Sequence, residues 1–411
     1  MPTADVPTCA DGPASMTMRQ SLALGIVTFL LMLPETLPVP VLRALVLERF
    51  SVTDGLATLF LSANMLGALI AAPLVGLYVD RTGNRRRIAI LALFVDALLM
   101  QALAHPHDYT TFLLLRVFEG AAHVTALTLL MSLTADAAGE RRGRAMGCLG
   151  AGLTLGVATG AAIGGMLGKR DPLLTLHVAS AVLLLAGLGA ILLLPRDTKS
   201  SSRPGFREVL RAIREEPRMR APLALAFVDR FTVGFFTTGF PLMMAGVHGI
   251  DRQHIGLLLG AFLYPFALLS YPFGRLAERW SRRRLVFWGS LLYGIAVMFT
   301  GVLPTAGIWA LMPVLGISSA VMFVPTLLWL LDSAPGIGKT TTMASFHAAG
   351  SLGFLLGPLC CGAIVHFSAE PSTGYVIAFA IAGLSEVLGA WLATVGPRRS
   401  PSELTATASK R

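Results

Sequence analysis

Along this chain apolar residues come in long blocks separated by short polar stretches. The block from Gly55 to Val79 holds 25 residues without a charge, and a membrane-spanning helix needs roughly 20 mostly apolar residues. Blocks of this kind fall near 20–41, 56–79, 88–104, 110–133, 144–168 and 172–194. After a polar stretch come six more, near 221–246, 254–274, 285–302, 307–331, 342–367 and 373–396. The charge-free run from Leu285 to Leu331 is divided by "VLPTAG" at Val302 to Gly307, because proline and glycine together signal a turn. The pattern predicts a tail at 1–19, a six-helix bundle at 20–194, a linker at 195–220, a second six-helix bundle at 221–396 and a tail at 397–411.

Composition fixes the class. Hydrophobic residues make up 54% of the 411 and charged residues 14%, against about 25% charged in a soluble domain; mean hydropathy is +0.69. The chain is an all-α polytopic membrane protein. Its first residues lack the basic, apolar, small-residue order of a cleaved signal, so they read as a short cytoplasmic tail. With both termini inside, 26 Lys and Arg fall on the cytoplasmic side and five, Arg43, Arg49, Lys169, Arg170 and Arg252, on the other. That bias predicts cytoplasmic termini. The net charge of +10 is then a topological signal, and nucleic-acid binding is not expected. Cys9, Cys148, Cys360 and Cys361 have no metal-site spacing and read as free thiols. Within the linker, Phe206, Val209, Leu210 and Ile213 recur at helical spacing, which suggests a short amphipathic surface helix.

The two halves carry matching motifs. "GLYVDRTGNRRRI" at Gly76 to Ile88 has a partner, "GRLAERWSRRRL" at Gly274 to Leu285, and 274 minus 76 is 198. "GLTLGVATGAAIGG" (Gly152 to Gly165) aligns with "GSLGFLLGPLCCG" (Gly350 to Gly362), placing Gly156 against Gly353, Gly160 against Gly357 and Gly165 against Gly362, each 197 apart. Two motifs at nearly one offset predict a parallel internal repeat, as in carriers built from two rocking bundles. Gly152, Gly156, Gly160 and Gly164 stack small residues on one helix face, where another backbone can approach closely. Tight packing alone also explains them, while Gly353, Gly357 and Pro358 in the second copy suggest a paired interface between halves.

These motifs resemble the major facilitator superfamily. Gly76, Leu77, Asp80, Arg81, Gly83, Arg85 and Arg86 are similar to its loop signature, and Gly274, Glu278, Arg279 and Arg282 to the second copy. "RVFEG" at Arg116 to Gly120 resembles the fourth-helix motif, with Glu119 where glutamine is usual; "PVPVL" at Pro38 to Leu42 resembles the proline pair ending helix 1 in twelve-helix drug:proton antiporters. The glycine series resembles the fifth-helix antiporter signature, except that Ala161 replaces its proline. The resemblance implies two six-helix bundles, a cavity lined by helices 1, 4, 7 and 10, and a loop motif that latches one access state. For Arg85, Arg86 and Arg87 a purely topological role competes with gating.

Charges inside the bilayer are costly and face partners or water-filled paths. Glu35, Asp96, Arg116, Glu119, Asp229, Arg230 and Glu386 lie within the blocks. At a rise of roughly 1.5 Å per residue in a core of about 30 Å, Glu35 and Arg116 both fall about 9 Å from the outer face and are placed to pair. Arg116, Glu119 and His123, spaced by three and four, line one stripe of helix 4. Glu35, Arg116, Glu119, His123, Asp229 and Arg230 are therefore the candidate proton and substrate residues, with Arg116 and Arg230 also serving as ion-pair partners. Asp96 and Glu386, on helices the family places at the periphery, read as interhelical polar contacts or neutral acids. His177 and His347 read as packing or local hydrogen bonds. "FFTTGFPLMM" (Phe235 to Met244) reads as packing or as a pocket for apolar substrates.

"GIGKTT" at Gly336 to Thr341 lacks the first glycine of a phosphate loop, since Ser333 stands there, and follows a membrane helix. His105, His107 and Asp108 form a polar outer loop better read as solvated than as a metal site. No nucleophile, base and orienter assemble, so an enzyme is not expected. The expectation is a monomeric secondary transporter in the cell inner membrane, with protons, a small molecule and lipid as partners and no cofactor or metal beyond a proton gradient. It exports apolar or amphipathic compounds; the alternative is a proton-coupled importer or a narrow carrier of a sugar or other small metabolite.

Overall fold

The computed structural model describes residues 17–106, 108–137, 142–195, 211, 213–334 and 339–395. Twelve long helices dominate them: α1 Met18–Thr36, α2 Leu59–Thr82, α3 Arg85–Ala102, α4 Tyr109–Ala137, α5 Arg142–Gly168 and α6 Leu174–Leu193 in the first half. In the second half are α7 Arg220–Gly246, α8 Arg252–Arg279, α9 Arg282–Thr300, α10 Thr305–Ser333, α11 Lys339–Phe367 and α12 Pro371–Val395. Among the described residues, ten stretches are long and apolar enough to cross a membrane. The two helices that fall short, α3 and α9, each open on three arginines and occupy equivalent places in the repeat.

Local chemistry sets the boundaries. Thr17 caps α1 reciprocally with Gln20, and Asp251 caps α8 by accepting from the His254 N–H at 2.9 Å. Gly83 ends α2 at φ +67°, a left-handed conformation that glycine adopts without a side-chain penalty. The "VLPTAG" break falls between α9 and α10. The proline pair ends α1 as expected, but the following connection is helical: a 3-10 turn at Val39–Val41, a π-helical turn at Arg43–Glu48 and a short helix at Asp54–Ala57. Arg49 closes it by donating to the carbonyls of Leu103, Ala104 and Pro106, the open end of α3.

Packing repeats between halves. In the first, α1 packs on α5 and α6, α4 on α2 and α3, and α3 on α6; in the second, α7 packs on α11 and α12, α10 on α8 and α9, and α9 on α12. The halves meet through α5 with α8 and α2 with α11, again an equivalent pair. This is a parallel 6 + 6 helical repeat.

The glycine series does something narrower than join the halves. A Cβ on Gly152, Gly156, Gly160 or Gly164 would collide with the carbonyl oxygens of Gly25, Phe29, Leu33 and Leu37, one per turn of α1. Those four glycines therefore serve contact within the first half. Gly353 and Gly357 do the same against the carbonyls of Phe227 and Phe231 on α7, and the Pro358 ring lies against Gly234. Only Gly165, against Gly256 of α8, and Gly362, against Gly55 and Thr58, touch the opposite half.

Further polar contacts between halves gather at the end away from the chain termini. Arg43 lies 3.2 Å from Asp54, which also accepts from the Tyr375 hydroxyl at 3.0 Å. Arg252 pairs with Glu48 at 3.4 Å and donates to the Gly168 carbonyl at 3.1 Å, and Lys169 donates to Gln253 at 3.1 Å. Of these, Arg43, Glu48, Lys169 and Arg252 border a cavity of about 310 Å³.

Several expectations fall beyond the described residues: Cys9, His107, the two tails outside 17–19, the linker helix apart from Arg211 and Ile213 onward, and "GIG" of the rejected phosphate loop. So do the side chains of Asp80, Arg81 and Glu278. The "FFTTGFPLMM" segment packs as core rather than lining a pocket, with Phe235, Phe240, Leu242 and Met244 at 0% exposure. Cys148, Cys360 and Cys361 are free thiols.

Candidate functional site

The helix 4 stripe is the centre of a buried charge cluster. Arg116, Glu119 and His123 are each buried on α4, and Glu35 from α1 reaches the same point. Arg116 Nη1 pairs with Glu119, and its Nη2 lies 3.7 Å from Glu35 Oε1. The guanidinium also sits 4.2 Å from the Phe60 ring centroid on α2, an aromatic face that accommodates a cation. Asn64, one turn further along α2, donates to Glu119 Oε2 at 2.9 Å. A bare backbone permits this approach: a Cβ on Gly120 would collide with Asn64, and one on Gly67 with Val117.

His123 extends the cluster sideways. Its Nε2 lies 3.8 Å from Glu35 Oε2, and its Nδ1 lies 2.9 Å from Asp96 Oδ2. Asp96, read from sequence as an interhelical polar contact or a neutral acid, is turned inward on α3 at 0% exposure and meets His123 of α4. It shares a buried stripe with Ala89, Ala92, Leu93, Ala97 and Met100, whose three- and four-residue spacing marks the face α3 presents to α4. Three carboxylates, one guanidinium and one imidazole thus form a continuous line from α3 through α4 to α1. Unpartnered polar atoms remain on Glu35, Asp96, Arg116, Glu119 and His123. The line has the composition to hold and pass a proton: acids able to exchange their arginine or histidine partner for a hydrogen.

Glu35, Glu119 and His123 also offer ligand atoms within 4.8 Å of one another. The guanidinium of Arg116 is already paired with both carboxylates, so a divalent ion would meet a resident cation. At the distal loop, Asp108 accepts from the Thr111 N–H at 2.8 Å and caps α4, a bond that holds its carboxyl below the usual carboxylate value.

The second half presents its charges differently. Asp229 is buried on α7 and Arg230 is partly exposed; Asp229 Oδ2 and Arg230 Nη1 are 3.7 Å apart. Arg230 lies over the rings of Phe323 and Phe354, at 4.4 and 5.5 Å from their centroids. Asp229 borders a cavity of about 10 Å³ with Ser290, Met322 and Thr326, room for about one water. Glu386, read likewise as an interhelical contact or a neutral acid, is 0% exposed, and both its carboxyl oxygens lack a hydrogen-bond partner. It is lodged where α12 and α9 approach through Gly383 and Gly294, beside the hydroxyl groups of Ser290 and Thr232.

In the loop motif, Arg85 is buried and donates to Ser132 of α4 at 3.1 Å, while Arg86 donates to the Ile191 and Leu194 carbonyls at 2.5 and 3.1 Å, capping α6. Arg282, 197 residues after Arg85, pairs with Asp332 and donates to the Leu328 carbonyl at 3.0 Å on α10. These arginines tie neighbouring helices of one half. Arg279 ends α8 exposed, and a Cβ on Gly274 would lie 3.1 Å from Val324. His177 contacts Gln101 at 3.1 Å, a local hydrogen bond.

Sequence reasoning missed Phe60 and Asn64. Neither carries a charge, so neither registers as costly in an apolar block, although both sit on the α2 face opposite the fourth-helix motif.

Comparison with known proteins gives one family. The family model described as Major Facilitator Superfamily matches residues 24–238 and 222–411. The quinolone resistance protein NorA of Staphylococcus aureus is 24% identical over 382 residues, covering 90% of this chain and 96% of its own. The sugar efflux transporter A of Dickeya chrysanthemi is 24% identical over 380 residues, covering 88% and 92%. Among solved structures, the nucleoside transporter NupG superposes with a TM-score of 0.73 at 13% identity, over 93% of this chain and 100% of that one. A bacterial homolog of the human lysosomal transporter Spinster, inward-facing and occupied, gives 0.75 at 18% identity over 94% and 100%.

Proposed function

The chain belongs to the Major Facilitator Superfamily and is a multi-pass membrane transporter; from that premise we propose that it exports small amphipathic compounds in exchange for protons, by alternating access. The observation that carries this reading is the buried line Asp96, His123, Glu35, Arg116, Glu119. A carboxylate buried beside an arginine is poised between two states, because desolvation favours the neutral acid while the guanidinium favours the ion. Water reaching Glu35 from one side and then the other would alternate its proton occupancy. Glu35 is the member with an exposed edge, 14% of its side chain, so it is the entry point. The relatives named for quinolone resistance and sugar efflux support outward transport.

Alternating access has a structural counterpart in the polar contacts between halves at the distal end, Arg43, Asp54, Tyr375, Glu48 and Arg252. On the proposed orientation, with both termini in the cytoplasm of a cell whose inner membrane holds the protein, these contacts close the outer mouth. The loop motif acts chiefly within its own half, with Arg85 and Arg282 as helix ties, and Asp80 and Glu278 remain the candidate latches.

The test is proton movement in energised inside-out vesicles challenged with lipophilic cations, antibiotics and sugars. A substrate-triggered proton efflux that Glu35→Gln abolishes, with the protein still in the membrane, is the expected result. Silence toward every compound would transfer the assignment to a second reading, an importer or narrow metabolite carrier. That reading is favoured by Ala161 standing where the antiporter signature has proline.

A further inference from the structure

Arg230 is a cation in the transmembrane region that its surroundings satisfy only in part. Among the described residues it makes no hydrogen bond; its one ion-pair contact is to Asp229 at 3.7 Å. Adjacent residues on a helix point about 100° apart, so the Asp229 carboxylate cannot meet the guanidinium as a two-pronged partner. Asp229 instead turns to the small cavity shared with Ser290 and Thr326. The Arg230 side chain runs along the glycine face of α11, where a Cβ on Gly353 would lie 3.0 Å from its Cβ and one on Gly350 would lie 3.1 Å from its Cγ. Its head then rests over Phe323 of α10 and Phe354 of α11.

That posture has a chemical consequence. A guanidinium lying over aromatic rings uses its face and leaves its in-plane N–H donors free. Here 21% of the side chain stays exposed, roughly ten residues into α7, about 15 Å from its start by helical rise. Placing an arginine at that depth is costly unless something meets it. By contrast Arg116, about two turns into α4 from the other side, is fully buried and already holds two carboxylates.

We propose that Arg230, cradled by Phe323 and Phe354, is a recognition site for an anionic group joined to a flat aromatic body, so that aromatic carboxylates are a substrate class of this protein. The proposal rests on the carrier reading for its transport consequence, but not for binding. The carboxylate takes the free N–H fork, and the ring it carries continues the aromatic wall. A uniformly apolar cargo would leave the fork unmet, and a cationic cargo would be repelled from it.

The test is equilibrium binding to the full-length protein in lipid nanodiscs, using 2-naphthoate, 2-naphthamide and 2-naphthylmethylammonium as probes. Expected is a preference of roughly tenfold or more for the carboxylate over the amide, the scale of one charge-assisted hydrogen-bonded contact. The ammonium should bind weakest. Arg230→Gln should abolish the carboxylate preference while leaving amide affinity within about twofold, Arg230→Lys should keep part of it, and Phe354→Ala should weaken carboxylate and amide alike. Equal binding of the three probes by the wild type, no saturable binding of any, or a preference that survives Arg230→Gln overturns the proposal. The wild-type probe series decides even where a variant fails to fold. Because binding needs no gradient, a protein that holds 2-naphthoate but moves nothing would sink the carrier reading alone. One that transports cations and ignores the carboxylate would sink this inference alone.

Discussion

The two halves share a helix-packing plan and treat their buried charges in opposite ways. In the first, acids and bases from α1, α3 and α4 find one another, and Phe60 and Asn64 of α2 complete the set. In the second, Arg230 is held by rings, Asp229 meets it only at 3.7 Å, and Glu386 has no ion-pair partner among the described residues. Polar atoms without a hydrogen-bond partner occur in both halves, so the difference lies in how the charges are paired. A duplicated scaffold thus carries one set of charges joined across three helices and one set left apart; on the proposed function, the second is where a visitor has something to offer and the first is where a proton is traded among residents.

The contrast can be broken most forcefully at Arg116. Arg116→Gln should strand Glu35 and Glu119, and breaking a buried pair on one side costs about 3–5 kcal/mol. Melting of the purified protein should show that loss, and the double variant with Glu119→Gln should recover a large part of it. A double-variant loss equal to the sum of the two single losses would mean that the pair is not coupled. Glu386 supplies the sharper comparison. Glu386→Gln removes no cation's partner and should shift the melting temperature little, whereas Glu119→Gln, which frees Arg116, should lower it clearly; matching shifts would erase the distinction between halves.

Packing provides a third comparison. Gly160→Ala must push the Leu33 carbonyl and Thr36 aside and should destabilise, while Gly147→Ala meets nothing within 4 Å and should gain up to about 1 kcal/mol of helix propensity. Thermal shifts of opposite sign are expected. The smallest effect belongs to the distal end. The Asp251 carboxyl is held below its ordinary value by the His254 N–H. A lowered folded value means that its charged-form contribution is present above the unfolded value of about 3.9 and fades as pH falls through the folded one. Asp251→Asn still caps the helix, so wild type and variant should differ slightly near pH 6 and converge at the acid end of a melting series.

Much of this architecture was legible because bilayer thickness leaves a length signature in the sequence. The breaks at Gly83 and at Val302 to Gly307, the twelve blocks and the offset of the repeat could all be read from residue order. The connection after α1 could not, since a proline pair announces an ending and gives no hint of the 3-10 and π-helical turns beyond it. Within the site, the Arg116, Glu119, His123 stripe and its neighbour Glu35 followed from spacing and depth. Asp96 was read as an interhelical contact or a neutral acid without its partner, because nothing in the residue order of α3 says that its inward face, marked by the alanines at 89, 92 and 97, meets His123. The lesson is that a helix's place in a bundle does not fix which of its faces is buried.

Gly165 meets the Arg252 carbonyl and the Gly256 backbone, and Gly362 meets the Gly55 carbonyl and the Thr58 side chain, at equivalent points on opposite flanks of the molecule. Interlocked side chains must change rotamer to slide, like meshed gear teeth. The first seat is smooth, backbone on backbone, while the second carries one tooth, the Thr58 hydroxyl, so the two flanks are built to resist tilting unequally.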